Sequence, residues 1–352
     1  MATATGIHHR SYRSELALRQ TKAERLRLAL VVLGALAMPF VVNVYWLSIV
    51  NTILIAVVGA VGLNILVGYT GQISIGTGGF LAVGAFTSAI VYERAQLPAV
   101  VAIAAAVLLT AAIGAFFGLP ALRLAGFYLA IATLAAQVII VFVARRWDWL
   151  TGGTGFIDVR AFELFGWEVG AGLFEVEWYA VLLVVAGLAV FAARNLFRTD
   201  LGRSFMAVRD QDVAAAAMGV NVTRTKVMAF AVSSGFIGLA GALTAHYTQT
   251  VSWERFTLDV SILYLAMIIV GGLGTIAGSV YGAAFMSLLP PVLTAASNAV
   301  QGSVPTLAEQ LPALQVTVFG LVIVLFLIFE PRGLNHIWQR VKDYGRTWPF
   351  RT

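Results

Sequence analysis

Cysteine is absent from this 352-residue chain. No disulfide, thiolate nucleophile or cysteine-ligated zinc is therefore available to it. Charge is scarce as well: Asp, Glu, Lys and Arg make up 11% of the residues, against about 25% in a typical soluble domain. Histidine is limited to His8, His9, His246 and His336, with no ligand spacing among them. No stretch fits a phosphate-cradling GxxxxGK[ST] loop, and neither HExxH nor GxSxG occurs. These absences leave no candidate catalytic residue and no candidate metal site, and an intramembrane enzyme fails on missing groups. The apolar runs hold almost no ionisable residues. Proton-driven carriers place such residues in the membrane, so their scarcity argues against proton coupling and leaves sodium coupling through backbone carbonyls open.

What the chain has is apolar length. Hydrophobic residues make up 60% of it, which marks an integral membrane protein with many spans. A spanning helix needs about 20 mostly apolar residues. The runs that qualify are Leu28–Leu47, Ile49–Val67, Ala99–Gly118, Phe127–Val143, Trp178–Leu196, Lys226–His246, Ile276–Val292 and Pro312–Phe329. Val260–Val270 is apolar but short, and Ile73–Tyr92 is rich in glycine.

Charge parity decides the count. Six basic residues precede the first run: Arg10, Arg13, Arg19, Lys22, Arg25 and Arg27. Residues 1–27 therefore read as a retained basic tail, either a surface helix or disordered, and not as a cleaved signal, which would be shorter and end in a cleavage site. A loop at 197–225 with its flanks carries Arg194, Arg198, Arg203, Arg209, Arg224 and Lys226, and the tail 332–352 carries Arg332, Arg340, Lys342, Arg346 and Arg351. The positive-inside rule puts all three regions on the cytoplasmic side. An even number of crossings must then separate the N-terminus from the loop, so Ile73–Tyr92 crosses. Counting the interrupted pair 260–270 and 276–292 as two gives ten spans within a permease domain at 28–331. The net charge of +6 follows from this topology and does not call for nucleic acid. One cost is that Arg145, Arg146 and Arg160 fall outside, among Asp148, Asp158, Glu163, Glu168, Glu175 and Glu177.

Two glycine clusters match in design: "GQISIGTGGFLAVGAF" (Gly71–Phe86) in the first half and "GGLGTIAGSVYGAAF" (Gly271–Phe285) in the second. Paired Gly-interrupted segments point to a transport pathway built from broken helices, while close packing through small residues explains either one singly. The mild polar residues inside the spans are Asn64, Gln72, Ser74, Thr77, Thr133, Gln137, Ser233 and Ser234. With Gly271, Gly272 and Gly274, the first six of these are the candidate pathway residues; helix ties are the competing reading.

The cytoplasmic stretch "GRSFMAVRDQDVAAAAMGVNVTRTKVMAF" (Gly202–Phe230) predicts a helix of about two turns. Asp210 or Asp212 would cap its start and Gly219 would take the left-handed position after its end. Thr223 would cap the next span. So short a helix is not stable alone in water, so it is either a surface turn or a helix docked on a partner.

The stretches "GLNILVGYTGQISIGTGGFLAVGAFTSA", "LRLAGFYLAIATLA", "TGGTGF", "VGGLGTIAGSVYGAAF" and "FEPRGL", together with that loop, resemble the LivM-type permease subunits of branched-chain amino-acid ABC importers. The resemblance covers about residues 60–334. It implies a type II importer-like fold in a bacterial inner membrane, with both termini cytoplasmic. A second related permease subunit, two cytoplasmic ATPases carrying ATP and Mg, and a periplasmic binding protein are the implied partners; no cofactor is implied on this chain. The family's coupling segment maps onto Asp210, Asp212, Ala215, Met218 and Gly219, with Arg203, Arg209 and Asn221 around it. Thr151, Gly152 and Gly153 fall where a binding protein would dock. At Thr77-Gly78-Gly79-Phe80 the chain departs from relatives that carry histidine and bulkier residues, which leaves the particular amino acid open. A urea or short-amide permease and a stand-alone carrier or channel are the alternatives.

Overall fold

A computed structural model describes residues 33–300 and 311–347, apart from 125, 154, 165 and 331. Residues up to Ser48 and from Ile49 onward form two compact units; the packing below concerns the second. After a helical stretch at 33–41, α1 runs unbroken over Val44–Thr70. The break before it falls at residues 42–43, five residues earlier than hydropathy suggests, and residues 28–32 lie outside the described range. Ser48 does not interrupt α1 because its hydroxyl donates back to the Tyr45 carbonyl at 2.8 Å, the local bond by which serine is absorbed into a helix.

Residues 71–76 are non-helical, and α2 then covers Thr77–Glu93. Next come α3 (Ala99–Gly118), α4 (Phe127–Arg146), a single turn α5 (Asp148–Thr151) and α6 (Phe174–Leu196). Two short helices, α7 (Asp200–Asp210) and α8 (Asp212–Ala217), lead into the long α9 (Val222–Thr248). The chain continues through α10 (Leu258–Gly271), α11 (Ile276–Val300), α12 (Leu311–Phe329) and α13 (Leu334–Thr347). Six of the described helices are long and apolar enough to cross a membrane, and α10 is a shorter apolar helix. At 1.5 Å per residue, α10 spans only about 21 Å of a hydrocarbon core about 30 Å thick.

Glycine explains how these helices approach so closely. A methyl group at Gly84 on α2 would sit 2.6 Å from Gly238 Cα on α9, and one at Gly62 on α1 would sit 2.6 Å from Phe236 Cβ. Without a hydrophobic force between helices in lipid, such small-residue seams supply the packing. The outward faces carry large apolar side chains instead, among them Leu108, Phe116, Val184 and Leu188.

Two small antiparallel sheets interrupt the helical architecture expected throughout. β1 (Ile157–Asp158) pairs with β4 (Thr250–Val251), and β2 (Phe162–Leu164) pairs with β3 (Trp167–Val169). They are too short for hydropathy to register. The Tyr92 hydroxyl at the end of α2 fastens the start of β2, donating to the Ala161 carbonyl at 2.7 Å and accepting from the Glu163 amide at 3.1 Å. The three arginines that strain the topology rule each lie over an aromatic ring: Arg145 over Trp253, Arg146 over Phe142 and Arg160 over Tyr92.

Candidate functional site

The first amides of a helix have no intrahelical partner, and α2 begins directly after the non-helical residues 71–76. Its neighbours supply partners. The Ile75 amide donates to Thr133 Oγ1 at 2.9 Å, and the Gly78 amide donates to Ser261 Oγ at 2.7 Å. Ser261 in turn donates to Gln137 Oε1 at 2.6 Å. Gly78 has to be glycine, since a methyl group there would meet Gln137 Nε2 at 2.8 Å and the Thr257 carbonyl at 2.9 Å. Ser74 Oγ accepts from the Gly76 amide, and Gln72 Nε2 donates to Thr70 Oγ1. Gln72 Oε1 and Thr77 Oγ1 are buried without a partner among the described residues. Ser261, which hydropathy gave no reason to single out, is the link between Gln137 and the break.

The second break is built around Asn64. This side chain is 1% exposed and makes three bonds to it: Nδ2 donates to the Thr275 carbonyl at 2.8 Å and to Ser279 Oγ at 2.7 Å, and Oδ1 accepts from the Gly274 amide at 2.9 Å. Gly271 ends α10, and Gly272 and Gly274 have φ of +122° and +71°, a backbone that L side chains resist.

The two breaks meet at Arg209. A methyl group at Gly71 would lie 3.5 Å from Arg209 Cγ, and one at Gly274 would lie 3.4 Å from Arg209 Cζ. The last residue but one of α7 thus rests against both glycine segments. Beside it, Tyr69 stacks on Phe197 with centroids 3.6 Å apart. From the other side, Gly333 backs onto Gly272 closely enough to exclude a Cβ, 2.8 Å from the Gly271 carbonyl carbon.

The loop differs in detail from the expected caps. Asp210 closes α7 and Asp212 is the first residue of α8, so Gln211 takes the N-cap position and makes no side-chain bond there. Asp212 instead pairs with Lys226 on α9 at 2.5 Å. Asn221, not Thr223, caps α9, accepting from the Arg224 amide at 2.9 Å; it sits at the position where the backbone is still extended, whereas Thr223 already lies inside the helix. Gly219 does take the left-handed conformation, with φ +86°. Arg203 pairs with Asp200 on the surface of α7. Ala215 faces inward at 5% exposure, while Val213 and Met218 project at 77% and 85%.

At the other end of the molecule, Thr151 is buried and its hydroxyl donates to the Trp147 carbonyl at 2.9 Å. Gly152 and Gly153 follow with φ of +77° and +61°. Exposed Trp149 and Phe156 flank them.

One further cavity, of about 310 Å³, lies between α1, α2, α9, α10 and α11. Ile55, Leu81, Phe256, Leu263 and Met267 form an apolar wall, and Thr244, Tyr247, Thr248 and Arg255 form a polar one. None of the pathway residues expected from the sequence lines it. Those residues gather at the two breaks, where most of their polar atoms are engaged.

A family model described as the permease component of branched-chain amino acid transport systems matches residues 45–327. The chain is 31% identical to the high-affinity branched-chain amino acid transport system permease protein LivM of Salmonella typhimurium, and 30% identical to LivM of Escherichia coli K12. Each match covers 89% of this chain and 75% of the relative. A weaker likeness, 28% over 35% of this chain and 35% of the relative, is to the autoinducer 2 import system permease protein LsrC of Salmonella paratyphi B. No solved structure matches.

Proposed function

Since the chain belongs to the family of branched-chain amino acid transport permease components, a transport subunit and not an enzyme, we propose that it forms one half of an ATP-driven importer for branched-chain or other hydrophobic amino acids. In this reading the permease has ten spans and a type II importer-like fold in a bacterial inner membrane, with both termini cytoplasmic. A second, related permease subunit encloses the pathway with it. Two cytoplasmic ATPases, carrying ATP and Mg, dock on α8, and a periplasmic binding protein docks near Thr151, Gly152 and Gly153.

The observation that carries the proposal is the build of α8. A helix of six residues has no stability of its own, yet this one is tied down by the Asp212–Lys226 pair and the buried Ala215, and it holds Val213 and Met218 outward. Two large apolar side chains held outward from a helix of alanines suit a socket on a partner. Behind α8, Arg209 touches both glycine breaks, a direct route by which movement of a docked ATPase reaches membrane-embedded backbone. Asn64, Thr133 and Gln137 act in this reading as ties that shape the breaks. Gln72 and Thr77, with buried oxygens unpartnered among the described residues, are the groups nearest to hand for a passing solute, beside Ser74, Gly271, Gly272 and Gly274.

The test is reconstitution. Co-expressed with the neighbouring permease and ATPase genes, the chain should co-purify with them and import leucine into proteoliposomes only with ATP and the binding protein present. Gradient-driven transport by the chain alone would overturn the proposal.

A further inference from the structure

A surface helix in water turns its apolar stripe toward the core, and α13 is built the other way round. Its anchored side is polar. The Gly333 amide donates to the Glu330 carbonyl at 2.8 Å, and the His336 amide donates to the Gly333 carbonyl at 3.0 Å. His336 Nδ1 meets Glu330 Oε1 at 2.6 Å, and Asn335 is buried beside Gly272. Ile337, Trp338, Val341 and Tyr344 follow at spacings of three and four, which puts them on one stripe of the helix. That stripe faces outward, with Trp338 53% and Val341 58% exposed.

What covers the stripe is shown by its neighbours. Tyr281 and Phe285 of α11, with Leu334, Ile337, Trp338 and Val341 of α13, line an apolar groove of about 420 Å³. The helix α11 is long and apolar enough to cross a membrane, so lipid against its face runs on over α13. Only residues 330–333 separate α13 from α12, another apolar helix. The margins of the stripe are basic. At 3.6 residues per turn, Arg340 borders it on the Tyr344 side and Lys342 on the Trp338 side. Arg340 spends one nitrogen on Glu330, at 3.4 Å, of a guanidinium with five donors. Lys342 forms no ion pair among the described residues. Residues 330–352 hold Arg332, Arg340, Lys342, Arg346 and Arg351 against Glu330 and Asp343. A protein socket would have to match this pattern in shape; a headgroup layer offers apolar depth and negative charge along its whole surface, and it is where Trp and Tyr collect.

We propose that α13 lies in the headgroup layer of the membrane, its stripe and groove covered by acyl chains of anionic phospholipid and Arg340 and Lys342 placed at the phosphates. The inference goes beyond the importer reading and does not depend on it. Such a helix binds through buried apolar area together with attraction to anionic lipid, and each basic residue near an anionic surface shifts the balance about fivefold. Both basic side chains reach the phosphates with their stems laid along the apolar margin. Since the turn at Gly333 backs onto Gly272, the seating of α13 also bears on the second glycine break.

With no cysteine in the chain, a spin label can be placed at one chosen position. Val341→Cys on the stripe and Gln339→Cys on the opposite face are labelled in the full chain. Each is reconstituted in phosphatidylcholine vesicles with and without phosphatidylglycerol. The reading is the ratio of collisions with oxygen, which enters the apolar layer, to collisions with a water-soluble nickel chelate. With phosphatidylglycerol, the ratio at position 341 is expected to exceed that at position 339 at least about fivefold. Without it, the ratio at 341 should fall at least about twofold, and Arg340→Gln with Lys342→Gln should leave it low in both vesicles. Equal ratios at the two positions in phosphatidylglycerol vesicles overturn the proposal. So does a ratio at 341 that ignores phosphatidylglycerol, and so does a label shielded from both reagents, which marks a face covered by protein. If labelling at 341 prevents reconstitution, Tyr344→Cys decides by the same criteria. Transport plays no part in this readout, so its outcome stands apart from that of the importer reading.

Discussion

Replacing Asn64 by leucine removes three buried hydrogen bonds at a stroke, those to Thr275, Ser279 and Gly274. Side-chain bonds between membrane helices average about 0.6 kcal/mol each, which sets a floor of about 2 kcal/mol for the three. The partners left behind raise the figure. The Gly274 amide and the Thr275 carbonyl flank a glycine turn held at positive φ, with little room to find new partners, and an orphaned buried polar group costs about 1–3 kcal/mol. A destabilisation of about 2–4 kcal/mol is therefore expected in unfolding by SDS titration of mixed micelles, followed by tryptophan fluorescence. Ser279→Ala should cost about a quarter of that. The double variant should cost less than the sum, because the Asn64–Ser279 bond can be lost only once. Should Asn64→Leu unfold within about 0.5 kcal/mol of wild type while uptake collapses, the residue would be a solute contact and not a tie, contrary to the three-bond argument.

Other outcomes follow from the same contacts. Met218→Asp should leave the permease folded and abolish ATPase co-purification, whereas Ala215→Asp should reduce the yield of folded protein, because Ala215 faces inward. Exchanging the charges at Asp212 and Lys226 should recover ATPase association lost in either single reversal; the pair is part-exposed, so each single loss in stability should stay near or below about 1 kcal/mol. Gly241→Val should prevent folding, since a Cβ there runs into the Leu81 backbone, while Gly187→Ala, with nothing within 4 Å, should stabilise α6 by up to about 1 kcal/mol in thermal unfolding. The hydrogen bond from His336, helped by the Arg340 and Arg332 charges and opposed by desolvation, holds the Glu330 carboxyl below its ordinary value of 4.5. A lowered carboxylate contributes stability above its unfolded value and loses it as pH falls through the folded one. Amide protection of α13, corrected for intrinsic exchange, should therefore hold down to the ordinary carboxylate range and drop below it, and Glu330→Gln should abolish the step.

Hydropathy located most of the long apolar helices to within a few residues, because twenty apolar side chains in a row have few alternatives to a helix. Gly219 was legible because a glycine directly after a run of alanines is the residue best suited to the left-handed position that often follows a helix. Caps were not legible at single-residue resolution, since Asp210, Asp212, Asn221 and Thr223 all suit the role and tertiary bonds choose among them. The sheets escaped notice because two or three residues carry no period. The cavity was invisible for a different reason. Arg255, Thr244 and Met267 come from three elements, and nothing in their local sequence ties them together before the chain is folded. Arg209 is the intermediate case: its charge was read as topology, and only the fold shows it resting against two glycines 203 residues apart, Gly71 and Gly274.

That seat of Arg209 bears on how such proteins diverge and how hybrids of them should be made. Gly71, Arg209 and Gly274 lie in three segments far apart in sequence, yet each fixes the room left for the others. A side chain at Gly274 would run into the arginine, and one at Gly71 would lie against it on a backbone held at positive φ. Crossovers between related permeases that fall between residues 71 and 274 therefore inherit the trio from two parents. Junctions placed before the first or after the last keep it intact and should give the higher share of working hybrids.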